Sequence, residues 1–418
     1  MQSSTFPPPP TTSVDWTKSN TPKFQEVNGH VESTYHKYTG KWTPLKFVSD
    51  PYMRIHGLAP GLNYGQQVFE GLKAFRTPGT PGSIMLFRPD RNATRLQHSA
   101  GVLNMPHVPA DMFIDACRAA VALNAEYVPP HETGWSLYCR PLLLASGPQF
   151  PPGEPEECTF AVYVLPTASG GEAGADRPPM PIRALVLDEF DRAAPRGTGT
   201  AKAGGNYAGL LRWSGRARAE GFGVTLHLDS AKHELVDEFS LCGFLGVLRA
   251  EGDEEDITLV VPESLCAIES LTSDSIQVIA KDWGWKVIRR PVSYTELPEF
   301  SEVLGAGTAM GMVPIRSITR RRGTTATRLA SGPRVLIDGD ADVGTETVVY
   351  IPDDQEGGGP VFQKLSTMFR ALQLGKAQDK FGWRFEVQAK DGDLGPVKTT
   401  RQGRAGWASP LSRDRSLI

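Results

Sequence analysis

The sequence predicts an α/β (α+β) chain built as two domains, and three observations predict it. Short apolar runs bounded by Gly, Pro and polar residues read as strands, and between them lie three stretches with helical spacing. The stretch TASGGEAGADRPPM at 167–180 loses all periodicity and divides the chain, as an interdomain connector does. The third observation is size: 418 residues suit roughly two or three domains, enough to bury about three quarters of the chain's surface without a disulfide or metal staple.

Taken in order, residues 1–40 read as a mobile Pro-rich leader, because 1–22 are polar and FPPPP favours an extended polyproline conformation. A smaller N-terminal α/β domain is expected over 41–166. In it, QVFEGLKA at 67–74 leads through the turn TPGTPGS at 77–83 into the apolar strand Ile84–Phe87. A helix is expected over 110–127, where Met112, Ala116, Ala119, Ala120, Leu123 and Tyr127 fall on one face. Residues 135–144 and 159–165 read as strands. A larger C-terminal domain is expected over 181–390, opening with a strand at 182–187 and a Gly-rich segment at 197–209. Strands follow at 222–228 and 257–261, then a helix from about 273 on Ile276, Ile279, Ala280 and Trp283, and a last helix at 361–379. Polar interruptions lie at 320–333 and 353–360. The polar, locally basic residues 391–418 read as a disordered tail.

Composition excludes several function classes. The chain carries 44 Lys+Arg against 47 Asp+Glu, a net charge of −3, which gives no support to a nucleic-acid partner. No apolar run approaches the ~20 residues of a membrane span, and the N-terminal residues have neither the basic start nor the apolar block of a signal peptide. The expected location is therefore aqueous and unexported, cytoplasmic with a mitochondrial site left open. The five cysteines are odd in number and scattered, with no C-x-x-C and no histidine at metal-ligand spacing, so neither a disulfide framework nor a metal site is expected. None of the eight dispersed histidines is given a catalytic role.

The sharpest chemical feature is GTGTAKAGGNY at 197–207. A lysine enclosed by glycines lets a planar ligand approach the backbone, and its amine can form a Schiff base with a held carbonyl. A phosphate-binding P-loop needs the lysine directly before Ser or Thr after an apolar strand, whereas Ala203 follows Lys202 and DRAAPR precedes the loop. On this segment alone, a solvated lysine in a flexible loop competes equally.

The surrounding motifs weigh against that plainer reading. QVFEGLKAFR at 67–76, LFRPDRNATRL at 86–96, SLYCRP at 136–141, DEFS at 237–240, SLTSDS at 270–275 and GAGTA at 305–309 with Pro314, together with the lysine segment, resemble the branched-chain aminotransferases. These are class IV pyridoxal-phosphate enzymes, and the resemblance covers about 45–388. It implies a fold type IV architecture with pyridoxal 5'-phosphate in the cleft between two domains, and a homodimer.

The resemblance also implies roles. Lys202 is the catalytic residue that binds the cofactor aldehyde and then moves the substrate proton. Glu238 pairs with the pyridine nitrogen and Tyr207 donates to the phenolic oxygen, with a strand-end carboxylate and a packed tyrosine as the plainer alternatives. Arg95, Thr308 and the backbone N–H groups of Leu271 and Thr272 hold the phosphate; Arg192 adds charge nearby, a surface ion pair being the alternative. Tyr64, Phe69, Tyr138 and Arg140 line the substrate pocket, with core packing as the competing reading for the aromatic residues, and the Thr308–Ala309 amides face the substrate carboxylate.

Two departures from the family pattern stand out. Leu241 occupies a position where the family commonly has threonine, and Met310-Gly-Met-Val313 stands where some members carry a redox C-x-x-C. The implied reaction moves the amino group of leucine, isoleucine or valine to 2-oxoglutarate, small amino and 2-oxo acids being the partners. Two alternatives stay open: a related enzyme with another amino donor in a specialised biosynthetic pathway, and a non-catalytic relative kept for binding.

Overall fold

The computed structural model describes residues 6–17, 25–79, 82–167, 179–250, 253–321 and 344–394. It consists of two nine-stranded sheets with helices against them, an α/β (α+β) architecture.

The first sheet runs in the order Arg384–Val387, Ile84–Phe87, Leu72–Arg76, Ser136–Ala145, Glu157–Thr167, His30–His36 and Lys41–Trp42, with Lys46–Val48 and Gln67–Phe69 branching off the path. All its pairings are antiparallel. Helices Pro89–Val102 and Ala110–Ala122 cover one face, burying Leu96, Phe113 and Ala116 with Leu137, Leu143 and Phe160 of the sheet.

In the second sheet the order is Val236–Phe239, Val224–Leu228, Ile182–Val186, Gly311–Arg321, Glu302–Gly307, Gly243–Ala250, Asp253–Pro262 and Lys286–Arg290, with Thr345–Val349 on Gly311–Arg321. Two of its neighbours are parallel pairs joined through helices. Ile182–Val186 reaches Val224–Leu228 by way of the Lys202 loop and helix Leu211–Ala219, and Asp253–Pro262 reaches Lys286–Arg290 by way of helix Leu271–Asp282. Parallel crossovers place helix N-termini beyond the carboxyl ends of strands, where open sheets bind anions.

A third layer joins the halves. The buried residues Val361, Phe362, Leu365, Phe369 and Leu372 of helix Pro360–Gln373 pack with Ile276 and Ile279, with Leu304, and with Phe75 and Phe87 of the first sheet. Each such side chain stabilises the fold by about 1.5–3 kcal/mol on burial.

Several expectations need correction. The leader over 1–40 includes the strand His30–His36, which pairs with Glu157–Thr167 in the interior of the first sheet. Polar residues hide its alternation: His30 and Ser33 are fully buried because His30 Nδ1 meets Asp50 O at 2.8 Å and Ser33 donates to Thr43 O at 2.6 Å. Arg76 fixes an earlier part of that segment, donating to Pro8 O. The helix expected to reach 127 ends at Ala122, where the Asn124 amide caps Ala120 O at 2.8 Å; a short 3-10 turn, Ala125–Tyr127, follows. The last helix stops at Gln373 rather than 379, since Gly375 turns the chain with φ +70°. Arg384–Val387, placed by sequence in the second domain, returns to the first sheet, and 391–394, placed in the tail, close on a 3-10 turn with Leu394 against the first core. Most of the connector (168–178), the interruption expected at 320–333 beyond Arg321, which ends the strand Gly311–Arg321, and the tail from 395 lie outside the described residues.

Candidate active site

The glycines around Lys202 are required by close approach. A Cβ on Gly199 would lie 2.5 Å from Cys266 O, and one on Gly204 would lie 2.7 Å from Gln67 Nε2. The loop is thereby drawn against the first sheet. Lys202 N–H donates to Ser99 Oγ at 2.9 Å, Phe69 N–H donates to Lys202 O at 3.0 Å, and Ala203 bridges Val68. The side chain is equally fixed: Nζ donates to the Tyr207 hydroxyl at 2.9 Å and lies 4.7 Å from the centre of the Phe69 ring, which meets the Tyr207 ring edge to face. Burial, helped by the positive charges of Arg95 and Arg140, lowers the amine from 10.5 to about 8. This is the environment of a nucleophilic lysine, not of a solvated loop.

Glu238 projects from the strand Val236–Phe239 and is buried. Its Oε1 takes both Arg192 Nη2 at 2.7 Å and Ile268 N–H at 3.1 Å, while Oε2 has no protein partner among the described residues. Burial raises the carboxyl from its ordinary value; Arg192 and the Ile268 N–H oppose that rise. Arg192 itself is nine-tenths buried and donates to Cys266 O and Gly199 O. It is therefore a buried partner of Glu238, neither a surface ion pair nor part of the Arg95 and Thr308 group.

The anion end is built on helix Leu271–Asp282. Ser270 caps it by accepting from Ser273 N–H, which leaves the N–H groups of Leu271 and Thr272 directed out of the helix end. Arg95, on helix Pro89–Val102, grips Glu70 through two 2.7 Å bonds and donates to Glu269 O. Three of its five donors are used, so it can still present N–H groups to an anion. Burial acts to lower its pKa and Glu70 more than reverses this, so the guanidinium stays charged. Thr308, half-buried in the turn after Glu302–Gly307, lines one cavity with Leu271 and Thr272.

The stretch from Cys266 to Glu269 links these parts, giving Cys266 O to Arg192, Ile268 N–H to Glu238 and Glu269 O to Arg95. On the substrate side, Arg140 stacks 4.8 Å over Phe69 and donates to the Tyr138 hydroxyl at 3.0 Å. Ala309 is exposed at the turn. Tyr64 is not brought into this group: it is 51% exposed and its hydroxyl has no partner among the described residues. Leu241, 52% exposed, lines a groove with Tyr207, Leu210, Leu211 and Phe222.

Four functional neighbours carry no sequence assignment: Glu70, Lys73, Arg88 and Ser99. For the first two a signal existed, since charged residues inside the apolar run VFEGLKAF can remain only if paired or used.

The residues fit pyridoxal phosphate: a lowered amine for the aldehyde, a carboxylate oxygen without a protein partner for the ring nitrogen, and a helix N-terminus with Arg95 and Thr308 for the phosphate. Comparison with known proteins agrees. The amino-transferase class IV family matches over residues 67–318. The aminotransferase poxL of Penicillium oxalicum is 44% identical over 392 residues, covering 94% of this chain and 98% of its own. For the transaminase htyB of Aspergillus rugulosus the identity is 45%, covering 93% and 96%. The branched-chain amino acid aminotransferase gloG of Glarea lozoyensis is 44% identical, covering 90% and 97%. Among solved structures, the Escherichia coli branched-chain amino acid aminotransferase superposes with a TM-score of 0.64 at 24% identity, covering 87% of this chain and all of its own, which shows the shared fold. The family match and these relatives show that the chain belongs to the class IV aminotransferases, enzymes of fold type IV that depend on pyridoxal phosphate.

Proposed function

We propose that this aminotransferase takes the amino group from branched-chain L-amino acids, leucine, isoleucine and valine, and passes it to 2-oxoglutarate, acting as a homodimer. The observation that carries the reading is the wall beside Lys202. Phe69 and Tyr207 present apolar ring surface to the amine, which suits an aliphatic donor, while Arg140, stacked on Phe69, offers the one charge a dicarboxylate acceptor needs.

When bound, pyridoxal phosphate supplies a ring that withdraws electrons from the substrate α-carbon. Glu238 would keep the ring nitrogen protonated, and Arg192 and the Ile268 N–H hold that carboxylate in place. Lys202 would bind the cofactor aldehyde and, as an amine lowered to about 8, would be suited to take the substrate α-proton and return it. Tyr207 holds Nζ in line through its 2.9 Å hydrogen bond. The homodimer reading draws on Tyr52, Leu58, Leu62, Tyr64 and Phe150, large side chains that remain exposed on this chain.

A second reading, an amino donor other than the branched-chain three in a specialised biosynthetic pathway, rests on Leu241, whose side chain takes the place of a hydroxyl and opens onto the groove under Tyr207. Half-reaction rates over a panel of L-amino acids, followed by cofactor absorbance, separate the two. Leucine, isoleucine and valine lead the panel on the first reading, and a different side chain leads on the second. Sedimentation velocity tests the dimer.

A further inference from the structure

His233 sits in the tight turn between the strands Val224–Leu228 and Val236–Phe239, with φ +56°, a left-handed conformation uncommon outside glycine. Asp229 holds the turn: its carboxylate accepts from the N–H groups of Lys232, Glu234 and Leu235, and its carbonyl takes the His233 N–H at 2.9 Å. So placed, the imidazole lies between two carboxylates of the segment that leaves Ile182–Val186. Nδ1 is 3.1 Å from Asp188 Oδ1 and Nε2 is 2.9 Å from Asp191 Oδ1. An ionised carboxylate only accepts, so both ring nitrogens carry protons here and His233 is an imidazolium. Arg320, from Gly311–Arg321, grips Asp188 from the other side with two 2.8 Å bonds and reaches His233 O. Among the described residues, Asp191 has no side-chain partner but His233.

The two segments joined in this way also carry the buried pair of the site: Arg192 follows Asp191 directly, and Glu238 stands five residues beyond His233. We infer that protonated His233 is a positioning residue for the Arg192–Glu238 pair, a second tie between the same two segments that keeps Arg192 in reach of the carboxylate and opens when the imidazole loses a proton. A neutral ring has one N–H. Arg320 keeps Asp188 in place, so the nitrogen facing Asp191 is the one left with a lone pair against a carboxylate, and that contact turns from attraction to repulsion. Burial by itself would lower the imidazole pKa, but the hydrogen bonds and charges of Asp188 and Asp191 outweigh it and hold the value above the ordinary 6.5. The tie is therefore complete below the ordinary value and is lost as pH rises through the raised one. The other charged or titratable groups around it are Asp229, Lys232 and Glu234 on the turn, Asp237 on Val236–Phe239, and Arg320 with Glu346 opposite it and the Tyr294 ring beneath it. Of the residue types present, histidine is the one that ordinarily titrates near neutrality. The inference rests on the role proposed for Glu238 and not on the choice of amino donor.

The test follows holoenzyme of wild type, His233→Asn and Asp191→Asn from about pH 6 to about pH 9. Asparagine tolerates the positive φ, so His233→Asn removes the charge and spares the turn. In Asp191→Asn the amide can donate to a neutral Nε2, so the tie no longer needs the second proton. Two quantities are read. One is the single-turnover rate with an amino acid, taken as a ratio to wild type so that the titration of Lys202 cancels. The other is the NMR shift of the cofactor's isotopically labelled ring nitrogen, which reports its proton. His233→Asn should be slower by about two- to fivefold near the acid end and equal to wild type near the alkaline end, with the ring nitrogen displaced toward its unprotonated shift only where the rate is lost. Asp191→Asn should gain on wild type by a similar factor as pH rises. A ratio that stays at one throughout overturns the inference, and so does a loss that is the same at every pH, which is what a merely structural histidine would give. Histidine NMR should place the titration of His233 above 6.5, and a lower value also overturns it. Glu238→Gln, run beside them, separates the two failures: a ring-nitrogen shift that moves in Glu238→Gln and not in His233→Asn removes the tie alone, and one that moves in neither removes the role of Glu238 and the inference with it. Should His233→Asn not fold, the Asp191→Asn ratio decides, and a flat ratio overturns the inference.

Discussion

Arg192 Nη2 lies 2.7 Å from Glu238 Oε1, and both side chains are more than nine-tenths buried. Neither charge is tolerable there alone, so the pair is a structural unit and, on the proposed function, a catalytic one. Arg192→Met should cost the fold about 3–5 kcal/mol, because it strands a buried carboxylate, and adding Glu238→Gln should recover part of that loss. Chemical denaturation of the three variants measures it. Glu238→Gln alone should keep the cofactor yet lose most single-turnover rate with an amino acid, since an amide does not hold the ring nitrogen protonated.

Lys202 should be the residue that borohydride fixes to the cofactor, and peptide mapping should find the label there and nowhere else. Its lowered amine has a second consequence. Between pH 8 and 10.5 the unfolded chain binds a proton at this residue that the folded chain does not, so wild type gains stability as pH rises through that window. In cofactor-free protein, any stability advantage of Lys202→Met over wild type should therefore shrink from pH 8 upward, as read by melting temperature.

Gly71 is held to its size by Tyr138. A Cβ there would lie 1.9 Å from the Tyr138 hydroxyl, which also accepts from Arg140 Nη2 at 3.0 Å. Gly71→Ala should cost about 1–3 kcal/mol as an overpacked site. It should raise KM more than it lowers kcat, because it moves the Tyr138 and Arg140 pair and leaves Lys202 in place. Thermal melting with steady-state kinetics decides this.

Leu241→Thr restores a hydroxyl beside Tyr207 in place of a half-exposed apolar side chain. One neutral hydrogen bond is worth about 0.5–1.5 kcal/mol, so the half-reaction with leucine or the affinity for cofactor should improve several-fold. If both become worse, the groove has been built around leucine and the second substrate reading gains.

Much of this site was legible because the motif residues carry it directly: Lys202 between glycines, Glu238 on a strand end, and Ser270 capping the helix that offers Leu271 and Thr272. What stayed hidden depends on contacts between distant segments. Glu70 and Lys73 stand in a quoted motif, but their partners, Arg95 and Ala309, are 25 and 236 residues away. Arg192 reads as a loop arginine until Glu238 is brought beside it. In the fold, apolar runs such as 136–145 and 157–167 announced themselves, whereas His30–His36 did not, because its buried positions include His30 and Ser33, which partners such as Asp50 O and Thr43 O make acceptable. Arg384–Val387 was lost for a related reason: its burial is slight and its place is set by the edge of Ile84–Phe87.

That last pairing bears on the order in which the protein is made. During synthesis, the segment Ile84–Phe87 emerges nearly three hundred residues before its outer neighbour, Arg384–Val387. At about 5–20 residues per second, the nascent first half spends on the order of tens of seconds with one strand edge unpaired. Fragments ending before residue 384 should therefore depend on holding chaperones and be prone to self-association, and tags or fusions at the C-terminus report on a segment that completes the first half of the molecule.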